Sequence, residues 1–323
     1  MTALAPEPAC SATLEHEAMF YADLDGFVAG TVPFIREGLA TGEPALVALV
    51  PHKIALLRDA LGRDADDVTF VDMIGLGGNP ARIIPAWRAF SAAHGSKFPR
   101  LRGIGEPIWA ARRPVEICEA QLHEQLLNVA FEPGPKLLLR CPYDTAALPE
   151  DVILEARRSH PVLAADGSAR HSADFDGSRY AVAAFGADLP EPPLTAHHLS
   201  FTGDVGLGTA RQMVGSYAAE AGLDPHRAAD LRLAVTELVA NSLAHGGGAG
   251  RLTVWQEGAH LVCEVADAGH IRDVMVGRVE PAADRLTGRG LWLVNQICEL
   301  VQVRSSGSGT VVRVHTAVDR RRT

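Results

Sequence analysis

Residues 161–194 divide this chain into two stretches that follow different hydrophobic rules. The runs ADGSARHSADFDGSRY and ADLPEPP carry Gly, Ser, Asp and Pro where the flanking sequence carries apolar periodicity. That composition predicts a linker between packed units, with Tyr180 to Phe185 as the part that could pack on something. The chain has 323 residues, and domains commonly hold about 100–200, so two are expected, over 12–160 and 195–318.

The first half alternates short apolar runs with amphipathic stretches. Phe27 to Leu39 has helical spacing and stops before Gly42. Ala45 to Val50 is continuously apolar, as a strand buried on both faces would be. A helix over 52–61 stops at Gly62, and Val68 to Met73 reads as a strand. Asn79 and Pro80 make a helix start, with Asn as cap and Pro in the first turn, for a helix running to about His94. A short strand at Arg102 to Ile104, a helix over Glu116 to Asn128 and a strand from Lys136 to Cys141 follow. This order predicts an α/β fold with a mostly parallel sheet covered by helices.

After residue 194 the order changes. A strand at His198 to Thr202 precedes a helix from Gly208 to Ala221. Asp224 and Pro225 start a second helix that reaches His245. Strands Arg251–Glu257 and Leu261–Ala266 are joined by a Gly-containing turn, which predicts a hairpin. A loop over Gly269 to Thr287, a helix over Gly290 to Leu300, and strands Val301–Arg304 and Thr310–Val318 complete it. Antiparallel strands with helices on one face make an α+β sandwich.

Bulk properties exclude several classes. The formal net charge is −9, and the one basic run, Arg320 to Arg322, is terminal, so a nucleic-acid partner is not expected. Five cysteines without CxxC spacing argue against a disulfide framework or a zinc site and fit a reduced, cytoplasmic setting. The N-terminus lacks the basic and apolar regions of a signal peptide. No run approaches eighteen uncharged apolar residues, so no membrane span is expected.

The chemistry concentrates in TELVANSLAH, residues 236–245. Glu237, Asn241 and His245 are spaced i, i+4, i+8 and share one helix face, with Asp230 on the same stripe. Leu231, Val235, Leu238 and Val239 form the neighbouring apolar face. Asn is a poor helix former. Mid-helix, beside a carboxylate, its amide oxygen suits a hard cation near phosphate, while the carboxylate polarises a hydroxyl. A solvated polar face accounts for the stripe equally well. Two further elements favour the first reading. Asp267 and Gly269 end a strand where a carboxylate can accept from an exocyclic amine and glycine admits a flat base. Gly288 and Gly290 open a helix whose free N–H groups favour an anion.

The order of these parts resembles the Bergerat ATP-binding fold of gyrase, Hsp90, histidine kinases and MutL (the GHKL group), and most nearly anti-sigma factor serine kinases of the RsbW and SpoIIAB type, over about 195–318. The resemblance implies that ATP and Mg2+ bind here, with Asn241 on the metal and Glu237 as catalytic carboxylate. Asp267 would read the adenine amine beside Gly269. His245, Gly288, Arg289, Gly290 and Leu291 would line the nucleotide, with Thr310 supporting the adenine pocket. Residues 270–287 would be the ATP lid, and Arg211 a partner contact. The family's Asp-x-Gly-x-Gly is here Asp267-Ala-Gly-His-Ile271, and the lid lacks the usual glycines while carrying Arg272, Asp273, Arg278 and Arg285. ATP binding tolerates this better than phosphoryl transfer does.

The first half resembles the MEDS sensory domain of the DcmR type, a RecA-like α/β sheet. The matching stretches are His16–Tyr21, Pro33–Leu39 with Gly42 and Glu43, Gly78–Arg82 and Gly105–Trp109. No GxxxxGK[ST] is present, so ATP hydrolysis is not expected in this half. Glu106 and Trp109 are sensory-site candidates, though a turn with a packed Trp explains them as well. The two halves together resemble RsbA-family anti-sigma regulators, which implies a sigma factor and an anti-anti-sigma protein of the STAS type as partners and a possible homodimer. A catalytically weak, partner-sequestering ATP module is one alternative. A sensor histidine kinase is the other, although neither His16-Glu17 nor His123-Glu124 is followed by the Pro of an acceptor box. His123 is expected to face solvent or a domain contact. His197-His198 has no ligand partner at metal spacing.

Overall fold

The computed structural model describes residues 13–131, 136–165, 168–281 and 288–318. In chain order its elements are β1 (Leu14–Tyr21), α1 (Leu24–Ala40), β2 (Ala45–Leu49), α2 (Pro51–Leu61), β3 (Val68–Asp72), α3 (Met73–Gly77), α4 (Ile83–His94), β4 (Arg100–Gly105), α5 (Pro114–Leu127), β5 (Lys136–Asp144), α6 (Glu150–Ser159), β6 (Val162–Ala165), β7 (Ser168–His171), α7 (Ser178–Gly186), β8 (His197–Thr202), α8 (Gly203–Glu220), α9 (Pro225–His245), β9 (Ala249–Glu257), β10 (His260–Asp267), α10 (Arg289–Ile297), β11 (Leu300–Ser306) and β12 (Gly309–Ala317). The chain forms two compact units. One comprises Met1–Asp72, Arg88–Glu106 and Ala130–Phe175; the other comprises Met73–Trp87, Pro107–Val129 and Asp176–Thr323.

The first unit is built on a seven-stranded sheet of order β3-β2-β4-β5-β1-β6-β7. Every pairing is parallel except β6 with β7. The continuous burial of β2 explains its unbroken apolar run, because helices cover both faces of such sheets. A core of Phe27, Val32, Ile35, Val47, Leu57 and Ile104 joins α1 and α2 to the strands. Asp23 caps α1 by accepting from the Gly26 amide at 2.7 Å.

The second unit holds a five-stranded antiparallel sheet, β11-β12-β10-β9-β8. Ala210 and Val214 of α8, Leu231, Val235 and Leu238 of α9, and Val294 of α10 pack with Leu252, Val265 and Val314 of the sheet in one core. Asp224 caps α9 through the His226 amide at 2.9 Å, with Pro225 in the first turn. Both sheet types follow the α/β and antiparallel patterns expected from the sequence. Among the described residues no helix is long and apolar enough to cross a membrane.

Several elements depart from the sequence expectation. Strand β1 lies in the middle of its sheet, between β5 and β6. Its Glu15, His16 and Glu17 hide it from a hydrophobicity pattern, yet His16 and Glu17 are buried. Glu17 is charge-paired with Arg140 at 2.6 Å. The segment expected as a linker carries β6, β7 and α7, because the short apolar run Val162-Leu163-Ala164 suffices to pair with β1. His123, expected at a solvent or domain-contact face, is 1% exposed. Its helix α5 also buries Glu119, which Arg304 and Gln302 reach at 2.5 and 3.3 Å. Cys118, Cys141, Cys263 and Cys298 form no disulfide, and all but Cys118 are buried; Cys10, Arg285, Thr287 and Arg320 to Arg322 lie outside the described residues.

Candidate nucleotide-binding site

Helix α9 presents its apolar side, Leu231, Val235, Leu238 and Val239, to the core. The stripe of Glu237, Asn241 and His245 therefore faces elsewhere, and its C-terminal end borders a cavity of about 250 Å³. Asn241, His245, Asp267, Gly269, Gly288, Gly290, Leu291 and Thr310 all line that cavity, with Ser242, Gly246, Ile271 and Val276. Residues from α9, the end of β10, the start of α10 and β12 are thus brought together from positions up to seventy apart in sequence.

The Asp267 carboxylate is fixed from two sides. Ser242 donates to its Oδ2 at 2.5 Å, and the Gly269 amide donates to its Oδ1 at 2.8 Å. The turn is tied to the sheet as well. Thr310 donates to the Gly269 carbonyl at 2.9 Å and contacts Ser305 Oγ at 2.8 Å, while Ser305 accepts from the Ile271 amide at 2.8 Å. Glycine is required at 309, where φ is +136° and a side chain would run into the Asp267 carbonyl. A side chain at Gly269 would likewise press on Asp267 and on the backbone of His245 and Gly246.

Gly288 caps α10 in the left-handed region at φ +85° and leaves the helix N-terminus open. A Cβ at Gly290 would stand 2.9 Å from Glu237 Oε2, 3.2 Å from Asn241 Nδ2 and 3.6 Å from Asn241 Oδ1. The carboxylate and the amide therefore converge on the first turn of α10, where N–H groups and the helix dipole favour an anion. This donor set, a carboxylate and an amide oxygen beside free amides, fits a magnesium-bound phosphate chain. Arg289 is exposed at that turn and is not part of the cavity lining. Asp230, about two turns before the first cavity-lining residue of α9, is exposed.

Sequence reasoning missed Ser242, Ser305 and Gly246. Ser242 adjoins Asn241 on the apolar side of α9, where a buried serine is the available signal; Ser305 read only as part of a turn. Within the expected lid, residues 270–281 are described. Arg278 there is buried and paired with Glu119 at 3.7 Å, and desolvation lowers its guanidinium to about 10 despite that carboxylate. The Gly277 carbonyl accepts from Asn295 Nδ2 at 2.9 Å. Asn79 of the first half donates to the Asn295 carbonyl at 3.0 Å, within the same unit.

The other candidates lie apart from this cavity. Arg211, exposed on α8, donates to Thr236 Oγ1 at 2.8 Å. Glu106 is buried at the end of β4, accepting from Tyr21 Oη at 2.9 Å and pairing with Lys53. Desolvation raises its carboxyl against the opposing pull of Lys53. Trp109 is half-buried under the Arg112 guanidinium, 4.1 Å from the ring centre, and belongs to the second unit, whereas Glu106 belongs to the first. The pair does not form one site within a unit.

The second unit thus sets an antiparallel sheet against α8, α9 and α10, with an Asp-x-Gly turn and a glycine-opened helix bordering one cavity. Residues 204–316 match the histidine kinase-like ATPase domain family, and residues 15–161 match MEDS, the methanogen/methylotroph, DcmR sensory domain. The chain thus matches a MEDS domain in its first half and a histidine kinase-like ATPase domain in its second. Among solved structures it is similar to the RsbU and RsbW domains of Rv1364c from Mycobacterium tuberculosis, with 18% identity, 39% of this chain and 33% of that chain covered, and a TM-score of 0.31. It is also similar to histidine kinase AdeS of Acinetobacter baumannii, with 13% identity, 38% and 68% covered, and a TM-score of 0.24. This chain thus spans a third of the first of these. No curated protein matches it.

Proposed function

We propose that this chain is an anti-sigma regulator whose carboxy-terminal domain binds ATP and phosphorylates a serine or threonine of a STAS-type antagonist, under control of its MEDS half. The observation that carries the reading is the convergence of Asp267, Asn241 and the α10 N-terminus around one cavity, with the Glu237 carboxylate outside its lining but beside Gly290. A purine would sit against Asp267, Gly269 and Thr310. Its phosphates would extend over Gly288 and Gly290 at the N-terminus of α10. Asn241 would hold a magnesium ion, which would supply charge neutralisation on those phosphates. Glu237 orients the attacking hydroxyl. Arg211 on the exposed face of α8 is the proposed contact to a partner protein, either the sigma factor or the antagonist.

The departure at Ile271 supports a second reading. Its side chain lines the cavity where the related pattern has glycine, which favours an ATP-gated sequestering module without turnover. One experiment separates the two. Magnesium-dependent ATP titration by calorimetry is expected to show binding that Asn241→Ala weakens. Labelled ATP incubated with a panel of STAS-domain proteins is expected to label one of them, with Glu237→Ala abolishing label but not binding. Binding without any labelling selects the second reading, and no binding sinks both.

A further inference from the structure

We propose that His16, Cys141 and His160 form a binding site for a divalent transition metal of the zinc class in the first unit. All three are buried, at 1%, 1% and 0% exposure. Their ligand atoms lie within 4.8 Å of one another. The parallel register of β1 and β5 pairs Ala18 with Cys141. His16, two residues before Ala18, therefore points to the same face of the sheet as Cys141. His160 ends α6 and leads into β6, the other neighbour of β1.

The distances match a metal site. His16 Nε2 stands 3.4 Å from Cys141 Sγ. In a tetrahedral zinc site, with Zn–N about 2.0–2.1 Å and Zn–S about 2.3 Å, the nitrogen and sulfur ligands stand about 3.5 Å apart. The His16 and His160 rings have centroids 3.9 Å apart at an interplanar angle of 41°, which brings both imidazoles to the same point. His160 is also oriented as a ligand. Its Nδ1 lies 2.7 Å from the Ala156 carbonyl, an acceptor only, so Nδ1 carries the proton. The neutral ring then has its lone pair on Nε2. A ligating histidine is commonly fixed by such a hydrogen bond from its other nitrogen. A thiolate with two imidazoles selects zinc-class ions over magnesium or calcium, which prefer oxygen donors. Sequence spacing could not announce this set, since His16 and Cys141 are 125 residues apart.

The test uses the full chain, stripped with chelator and titrated with Co2+. Wild type is expected to develop a thiolate-to-cobalt charge-transfer band and tetrahedral d–d bands, competed away by Zn2+. Cys141→Ser is expected to lose the charge-transfer band, and His160→Gln to weaken binding by more than about 10-fold. Cys118→Ser, at an exposed cysteine, is expected to leave the spectrum unchanged. A wild type without the band, or a folded Cys141→Ser that keeps it, overturns the proposal. Should Cys141→Ser fail to fold, X-ray absorption of the zinc-loaded wild type decides. One sulfur with two imidazole nitrogens upholds the site, and any other nitrogen–sulfur set refutes it.

Discussion

Asp267 spends two of its acceptor positions on its own fold, through Ser242 and the Gly269 amide. These bonds fix the carboxylate plane at the end of β10 and leave a lone pair for a base amine. Replacing one oxygen by an NH2 group turns an acceptor into a donor at whichever side it faces. A hydrogen bond to a charged group contributes about 1.5–3 kcal/mol, so Asp267→Asn is expected to weaken ATP binding about 10–100-fold. Calorimetric titration checks this, and unchanged affinity would remove Asp267 from the base-reading role. A second residue makes stability depend on pH. Burial, with Arg113 and Arg313 adding repulsion, lowers His315 to about 3. The unfolded imidazole takes up its proton near pH 6.5. Between those values the unfolded state binds more protons, so stability falls as pH drops below about 6.5 and levels off near 3. Urea midpoints at pH 7 and pH 5 are expected to show this loss, and His315→Gln to reduce it.

At the scale of elements, α5 and the chain around Arg278 are held by one carboxylate. Glu119 is fully buried and reaches Arg304 at 2.5 Å and Arg278 at 3.7 Å. Removing one partner from a buried ion pair costs about 3–5 kcal/mol, because the other charge is left uncompensated. Glu119→Ala is expected to destabilise by about that amount and to speed amide exchange in residues 273–281, read by mass spectrometry. Loss of stability without faster exchange there would mean that Glu119 does not restrain that segment. Sequence legibility also divides by element. Helix α9 was readable because apolar and polar positions separate along it, and the β9–β10 hairpin because Gly258 marks its turn. The candidate site residues were legible too, since Asn241 stands mid-helix on the polar stripe of α9 and Asp267 and Gly290 lie near element ends that sequence locates. Strand β1 escaped the sequence pattern, and helix α5, legible over Glu116 to Asn128, gave no sign of how deeply its polar side chains are buried. Their buried Glu17 and Glu119 are satisfied by arginines distant in sequence, Arg140 and Arg304, and hydrophobicity cannot register a charge neutralised from afar. Ser242 was missed for a similar reason, since its partner Asp267 is supplied by another element.

For the molecule as a whole, the unit that carries the ATPase fold also includes Met73–Trp87 and Pro107–Val129. Asn79, Arg82 and Glu119 in those segments bond to Asn295, Cys298 and Arg304. A fragment of residues 176–323 keeps the antiparallel sheet and its core but exposes those partners. It is expected to melt below the corresponding transition of the full chain and to bind more of a hydrophobic dye. Equal melting would show that the two segments add nothing to the ATPase fold.

The backbone passes from one unit to the other at residues 72–73, 87–88, 106–107, 129–130 and 175–176. A recombination breakpoint placed in the Pro-rich stretch near residue 190 would therefore transplant an incomplete module. Chimaeras that exchange amino-terminal halves between relatives are expected to fold only when the host's own 73–87 and 107–129 travel with its carboxy-terminal half.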